Sequence, residues 1–375
     1  MKMRWVFWLA AAVIGYSYLG YPAWLWLRSR WSPRPVRRGS GEPSVSAVMV
    51  VRNEEAAIAH KLENLLTLDY PREKLEVVVV SDGSSDGTAA ILGEFERDPQ
   101  VRTVMKAESQ GKAAGLNDGI QAARGEVLFF TDVRQQIERG ALRFLVENFG
   151  DPDVGAASGE LMLGDPAKGE TGKGMGLYWR IEKKVRDLES ASGSVVGATG
   201  AIYCVRRELV DPLPEGTILD DVLLPMQVVR RGARVIFDSR ARAWDSPNLG
   251  GSREFSRKVR TLGGNYQLVQ LAPWLLSSKN AIRFEFVSHK LSRLAVPFAL
   301  LGLLVASMFL RQPFYRVGLV AQLGFYLLSL AAWGEIKLGP LSRLADAART
   351  FVVLNSAALV AFVNFVTGRK AVWVR

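Results

Sequence analysis

Acidic and amide side chains recur in this chain where apolar runs give way to turn-forming residues. Arg52-Asn53-Glu54-Glu55 follows the run 45–51, and Ser81-Asp82-Gly83-Ser84-Ser85-Asp86-Gly87-Thr88 follows 75–80. Thr131-Asp132-Val133-Arg134-Gln135-Gln136 follows 126–130. Such groups accept hydrogen bonds from sugar hydroxyls or a nucleobase edge. Asp82 and Asp86 are equally suited to capping a turn and a helix. Lys112, in Gly111-Lys112-Ala113-Ala114-Gly115-Leu116-Asn117, stands at a glycine-flanked helix start. An ammonium and free N–H groups there can meet a phosphate, although a solvated lysine on a capped helix has the same sequence. Asp220 and Asp221 open another helix. Paired acids at that position cap the helix, and they also hold a carboxylate firmly enough to act as a general base. The loop 192–201, with Gly193, Gly197 and Gly200, either lets backbone approach a ligand closely or is a flexible connection.

To act together these residues must be brought to one edge. The β-branched runs 45–51 and 75–80 bracket Ile58, Leu62, Leu65 and Leu66, which have helical spacing. Parallel strands with a crossover helix are the simplest solution, and ligands sit beyond the carboxyl ends of such strands. Further strands are expected at 101–105, 126–130, 154–163 and 233–237. Helices are expected at 89–97, 112–123, 140–149, 173–190 and from 220 to 231. Together they make one α/β domain over about 45–245.

The net charge of +11 needs a partner. No zinc-finger or RNA-binding motif is present, and the arginines crowd beside apolar runs, so anionic membrane lipids fit better than nucleic acid. With one cysteine, Cys204, no intramolecular disulfide can form, and with only two histidines a Cys/His zinc site is excluded in practice. Residues 5–27 are long and apolar enough to span a bilayer. Arg28, Arg30, Arg34, Arg37 and Arg38 follow that run, which favours an uncleaved anchor over a signal peptide and a cytoplasmic domain after it. Further spans are expected near 294–310, 317–333 and 350–366. Three of them would put the tail, with Arg369, Lys370 and Arg375, outside, against the positive-inside tendency, unless one segment is re-entrant or interfacial. The stretch 253–270 sets Arg257, Lys258 and Arg260 around Phe255, Val259 and Leu262. It can snorkel as an interfacial helix or bring a guanidinium to a diphosphate. Residues 271–286, with Trp274 and Phe284, are expected to lie along the membrane.

Taken in order, R-N-E-E, S-D-G-S-S-D-G-T, G-K-A-A-G-L-N, F-T-D-V-R-Q-Q, G-A-T-G-A, L-D-D and R-K-V-R resemble the family-2 glycosyltransferases of the membrane-bound bacterial type. The resemblance covers about residues 45–270. It implies a GT-A fold, a Rossmann-like mixed and mostly parallel sheet, and an inverting transfer of a sugar from a nucleotide donor, expected to be a UDP-sugar. By the same resemblance Asn53, Glu54, Asp82, Lys112, Asp132, Arg134, Arg257 and Arg260 would bind the donor nucleotide. Asp132 would hold the metal, and Asp221, with Asp220 beside it, would be the catalytic base.

Four departures from the family pattern matter. Ser81 replaces an acidic residue and Asp220 a glutamate. Arg134 replaces the second aspartate of D-x-D. Thr261 stands in place of the tryptophan of Q-x-x-R-W, which argues against a processive synthase. A Mg or Mn ion can bind through Asp132 and the donor phosphates, with Asp245 as a further candidate ligand, or Arg134 can neutralise the diphosphate itself.

The expected layout is an anchor at 1–30, a basic linker at 31–44 and the glycosyltransferase domain at 45–250. An interfacial segment follows at 251–292, about three spans at 293–368 and a basic tail at 369–375. The resulting expectation is a multi-pass inner-membrane enzyme with a cytoplasmic catalytic domain. It would act on a membrane-associated polysaccharide or glycolipid acceptor, among membrane lipids, and an export complex would add partner subunits. Transfer to polyprenyl phosphate, or a non-catalytic nucleotide-sugar sensor, are the alternatives.

Overall fold

The computed structural model describes residues 2–164, 177–245, 251–336 and 338–369. Eight strands form one sheet: β1 (Val45–Val51), β2 (Leu75–Asp82), β3 (Val101–Lys106), β4 (Val127–Phe130), β5 (Gln136–Ile137), β6 (Val154–Leu163), β7 (Tyr203–Arg206) and β8 (Arg234–Asp245). Their order is β3-β2-β1-β4-β7-β6-β8-β5. The pairs β1–β2, β1–β4, β2–β3 and β6–β8 are parallel, while β7 and β5 run antiparallel to their neighbours. The central strands are apolar on both faces because both are covered. Ala47 and Met49 face one core with Ile58, Leu62 and Leu142. Val48 and Val78 face the other, with Leu116, Leu223 and Leu268.

The strand–helix–strand opening and the strand at 154–163 lie where the sequence puts them. Three strands differ, one of them the two-residue β5, which was not expected. The strand expected to end at 237 runs on to Asp245, because Ala241 and Ala243 alternate inward against exposed Arg242, a pattern that an arginine-rich composition hides. β7 follows the small-residue loop directly and was not expected. The helix expected from 173 is seen from Leu177 to Ser192, and residues 173–176 lie outside the described residues.

Among the described residues four helices are long and apolar enough to cross a membrane: Lys2–Trp31, Arg283–Phe309, Pro313–Trp333 and Gly339–Val366. The second begins about ten residues before the expected span, so the segment around 283–292 is helical and continuous with it. They pack through aromatic contacts such as Phe7 against Phe314 and Tyr315 and Phe298 against Phe362. Of the basic tail, Arg369 is described, and Lys370 and Arg375 lie outside the described residues. The helix Gly251–Leu271 joins the two regions, since its Tyr266 stacks on Phe365 with ring centroids 5.1 Å apart.

Candidate active site

β1, β2 and β4 end at one edge of the sheet, and their turns are stitched together there. Asn53 follows β1 at φ 56°, a left-handed conformation that Asn tolerates better than most residues. Its Oδ1 accepts from the Ser85 N–H at 2.8 Å, and its own N–H donates to Ser84 Oγ at 3.2 Å. The Glu54 N–H donates to Thr88 Oγ1 at 2.9 Å, and the Gly87 N–H donates to Glu55 Oε2 at 2.7 Å. Asp86 accepts from the Thr88 N–H, so it does cap that turn. Burial pushes the Glu54 carboxyl above its usual range, against the pull of nearby Arg134.

Asp82 is buried at the end of β2 and holds the loop that leads to Lys112. Its carboxylate accepts from Ser109 Oγ at 2.7 Å and from the N–H groups of Gln110 and Gly111 at 2.8 and 2.9 Å. Burial works against its charge, but these bonds and Lys106 outweigh burial and keep it below the usual carboxylate range. The side chain expected to meet the nucleotide thus also holds the loop at Ser109–Gly111.

Lys112 stands at the centre of the acidic constellation. Its Nζ lies 3.1 Å from Asp132 Oδ1 and 3.3 Å from Asp220 Oδ2, bridging the end of β4 to the helix Asp220–Arg230. Burial disfavours the ammonium, but Asp132, Asp220 and Asp221 overcome it and lift Lys112 well above an ordinary lysine. Asp221 is raised too, which for a carboxyl disfavours the charge. Burial, and then the charge of Asp220, push its carboxyl up to about 6, while Lys112 and Lys290 pull it down. A carboxyl tuned toward neutrality suits a general base.

The small-residue loop explains how Asp221 is placed. The Ala198 N–H donates to the Asp221 backbone oxygen at 2.7 Å. A Cβ on Gly200 would stand 3.2 Å from Asp221 Oδ2, and Gly197 takes φ +85° against Val222. Close approach of backbone to the carboxylate is thus what the glycines permit. On the other side Gly264 lies against Leu219, and Gln267 Oε1 accepts from the Ile218 N–H at 2.9 Å. The helix Gly251–Leu271 therefore braces the turn into Asp220-Asp221.

Arg134 and Asp245 meet each other: the guanidinium lies 3.0 Å from Asp245 Oδ2, which also accepts from Gln135 Nε2 at 2.9 Å. Asp245 Oδ2 is accordingly held by two donors. Arg257 is exposed on its helix and faces Glu254, and Arg260, one turn on, is half-buried. Among the described residues no three Asp, Glu, His or Cys side chains converge as a cation cage. The Asp132 side chain keeps 42% of its surface exposed at the strand end. One exposed carboxylate fits a Mg or Mn ion that takes its other ligands from phosphate and water.

Two residues of the site were not singled out from the sequence. Lys61 is buried beneath the Asp132 turn, where its Nζ donates to Thr131 Oγ1 at 2.8 Å and to the Gln135 carbonyl at 2.6 Å. Burial brings it down to about 7, against the pull of Asp132. A lysine among Ile58, Leu62 and Leu65 on an apolar helix face was a legible signal. Tyr203, the first residue of β7, stacks on Phe130 at 4.9 Å. Its hydroxyl is buried without a hydrogen-bond partner among the described residues, and Asp220, Asp221 and Asp132 are the charges that face it.

Residues 46–213 match the family model described as Glycosyl transferase family 2. The chain is 28% identical over 192 residues to a beta-monoglucosyldiacylglycerol synthase of Synechocystis, which is 50% of this chain and 40% of that protein. It is 25% identical over 232 residues to a poly-beta-1,6-N-acetyl-D-glucosamine synthase of Staphylococcus aureus, 60% of this chain and 55% of that one. The chain thus spans only about two fifths to just over half of these relatives. Among solved structures, a mannosyltransferase from Pyrobaculum calidifontis in complex with GDP-Man and Mn2+ superposes with a TM-score of 0.71 at 23% identity. That match covers 97% of this chain and 100% of the other, a likeness of fold, and the fold is the expected GT-A type.

Proposed function

We propose, given that this chain is a glycosyltransferase with a family-2 domain over residues 46–213, that it moves a sugar from a UDP-sugar to a hydroxyl on a membrane-associated glycan or lipid, with inversion at the anomeric carbon. The observation that carries this reading is the Lys112 bridge from Asp132 to Asp220, next to Asp221, whose carboxyl burial and Asp220 raise. Asp221 takes the acceptor proton as the acceptor oxygen bonds to the anomeric carbon. The bond from that carbon to the phosphate oxygen breaks, and its electron pair leaves with the nucleoside diphosphate. Lys112 is placed to meet the charge that builds on this leaving group. Asp132 would hold a divalent cation together with the donor phosphates, and the cation would supply further neutralisation of the diphosphate. The named relatives, one making a glycolipid and one a polysaccharide, support both acceptor classes.

A polyprenyl phosphate nucleophile would arrive already as an anion and would need no base, so the tuned Asp221 favours a hydroxyl. The four apolar helices, with Arg28 and Arg30 at the end of the first, support a multi-pass membrane protein whose catalytic domain faces the cytoplasm.

The test uses the full chain in detergent, a panel of UDP- and GDP-sugars and membrane lipid extract as acceptor. The expected result is nucleoside diphosphate release from one UDP-sugar, stimulated by Mg or Mn and suppressed by chelator. Absence of release with every donor and acceptor would overturn the reading, and full activity in chelator would remove the cation from it.

A further inference from the structure

The helix Leu177–Ser192 carries Glu182, Arg186 and Glu189 three to four residues apart, which sets them on one face. That face turns inward: their side chains keep only 11%, 19% and 0% of their surface exposed. Charges on a buried helix face are costly unless each is paired. Here the partners come from two separate places. The apolar helices supply the first set. His289 lies 2.8 Å from both Glu182 and Glu189, Arg293 donates to Glu182 Oε2 at 2.6 Å, and Tyr21 donates to Glu189 Oε1 at 2.5 Å. The small-residue loop supplies the second. Its Val196 N–H donates to Glu189 Oε2 at 3.3 Å, and its Thr199 Oγ1 accepts from Arg186 at 2.6 Å.

The loop between these two anchors is the one that meets Asp221. The Ala198 N–H donates to the Asp221 backbone oxygen at 2.7 Å, and Gly200 follows Thr199 against the Asp221 carboxylate. Thr199 is also fastened to β6, through its N–H to Ser158 Oγ and its hydroxyl to the Gly159 carbonyl, each at 2.8 Å. With its proton given to Gly159, Thr199 Oγ1 can only accept, and Arg186 is the ionised donor that meets it. The guanidinium is aimed in turn by Glu182, whose Oε1 lies 3.8 Å from Arg186 Nε. A run of contacts therefore leads from His289 through Glu182 and Arg186 to Thr199, and Ala198 beside it holds Asp221.

We propose that Arg186 is a positioning residue for Asp221. It sets Thr199, and with it the loop that fixes Asp221, by reference to the apolar helices. This rests on the reading of Asp221 as the base and adds a residue to it.

Hydrogen exchange and steady-state kinetics on the full chain in detergent test it together. In Arg186→Met the Ala198 N–H should exchange about tenfold faster while the amides of β1 keep their rates. With a donor that turns over, kcat should fall about tenfold, and KM for the donor and UDP affinity by calorimetry should stay at wild-type values. Thr199→Val removes the acceptor from the other side, so adding Arg186→Met to it should cost no further rate. Unchanged Ala198 exchange in Arg186→Met overturns the proposal, as does a full further loss of rate in the Thr199→Val background. A loss of UDP affinity would place Arg186 at the donor and overturn it too. Faster exchange in β1 as well would show that Arg186→Met misfolds, and Arg186→Gln, which leaves a polar end facing Glu182, is then the variant to read. If no nucleotide sugar turns over, the glycosyltransferase reading fails, and the Ala198 exchange still decides whether Arg186 holds the loop. A wild-type rate in Asp221→Asn would remove the base rather than the clamp.

Discussion

Burial works against the charge of both Asp221 and Lys112, yet only Asp221 is driven toward neutrality. Lys112 is opposed by burial alone and rewarded by three carboxylates, whereas Asp221 meets burial and Asp220 together. Because Lys112 lowers the Asp221 carboxyl, Lys112→Met should raise it further. The rate would then need a higher pH to reach its plateau, and a pH–rate profile of nucleoside diphosphate release reads the displacement directly. Asp82→Ala should free the loop at Ser109–Gly111 and weaken UDP affinity through Lys112's position, measured by calorimetry. At this scale much is legible: residue type and spacing point to Asp132, Lys112 and the Asp220-Asp221 pair, and Lys112 lies within 3.3 Å of both Asp132 and Asp220. Tyr203 is not legible, because a lone tyrosine in an apolar run looks like core, and only folding shows that its hydroxyl lies unpartnered among the described residues near the carboxylates. Lys61 has a signal, a lysine on an apolar helix face, but no pattern that ties it to the Asp132 turn.

The elements act by fixing Asp221 from two sides. The loop at Gly197–Gly200 presses on it from the sheet, and the helix Gly251–Leu271 braces the turn that precedes it. Gly200→Ala is the sharper probe, since its Cβ would crowd Asp221 Oδ2 at 3.2 Å without requiring a left-handed backbone. A displacement of a few tenths of an ångström should lower kcat by roughly ten- to a hundredfold. The UDP affinity and the thermal midpoint should stay near wild type, and a fall in midpoint matching the loss of rate would show a folding defect instead. The opening strands and helices were legible because their apolar period is regular. β7 and the second half of β8 were not, because a four-residue strand has no period to read and Arg240 and Arg242 mask alternate buried alanines.

At the scale of the molecule, a buried polar layer ties the catalytic domain to the apolar helices. Tyr21 donates to Glu189 at 2.5 Å, His289 lies 2.8 Å from both Glu189 and Glu182, and Arg28 pairs with Glu285. Arg234 donates to the Arg34 carbonyl at 2.8 Å, so the basic linker is docked rather than loose. Removing one donor from a buried carboxylate costs about 1–3 kcal/mol. Tyr21→Phe should therefore lower the unfolding midpoint in detergent while leaving UDP affinity intact, and an unchanged midpoint would show that the contact carries no weight. Hydropathy alone located the apolar helices. It could not show that the first of them packs on Leu177–Ser192 across some 160 residues of sequence, because such a contact leaves no local pattern.

The account turns on Asp221 as the base. The most direct measurement is the pH dependence of nucleoside diphosphate release for wild type and Asp221→Asn with the same donor and acceptor. The carboxyl must be ionised to accept a proton, so the wild-type rate should rise as pH passes through about 6 and level off above it. Asp221→Asn should lose that rise and run about 10²–10⁴-fold slower at the plateau while binding UDP normally. A variant that keeps the rise, or turns over at near the wild-type rate, would contradict the account.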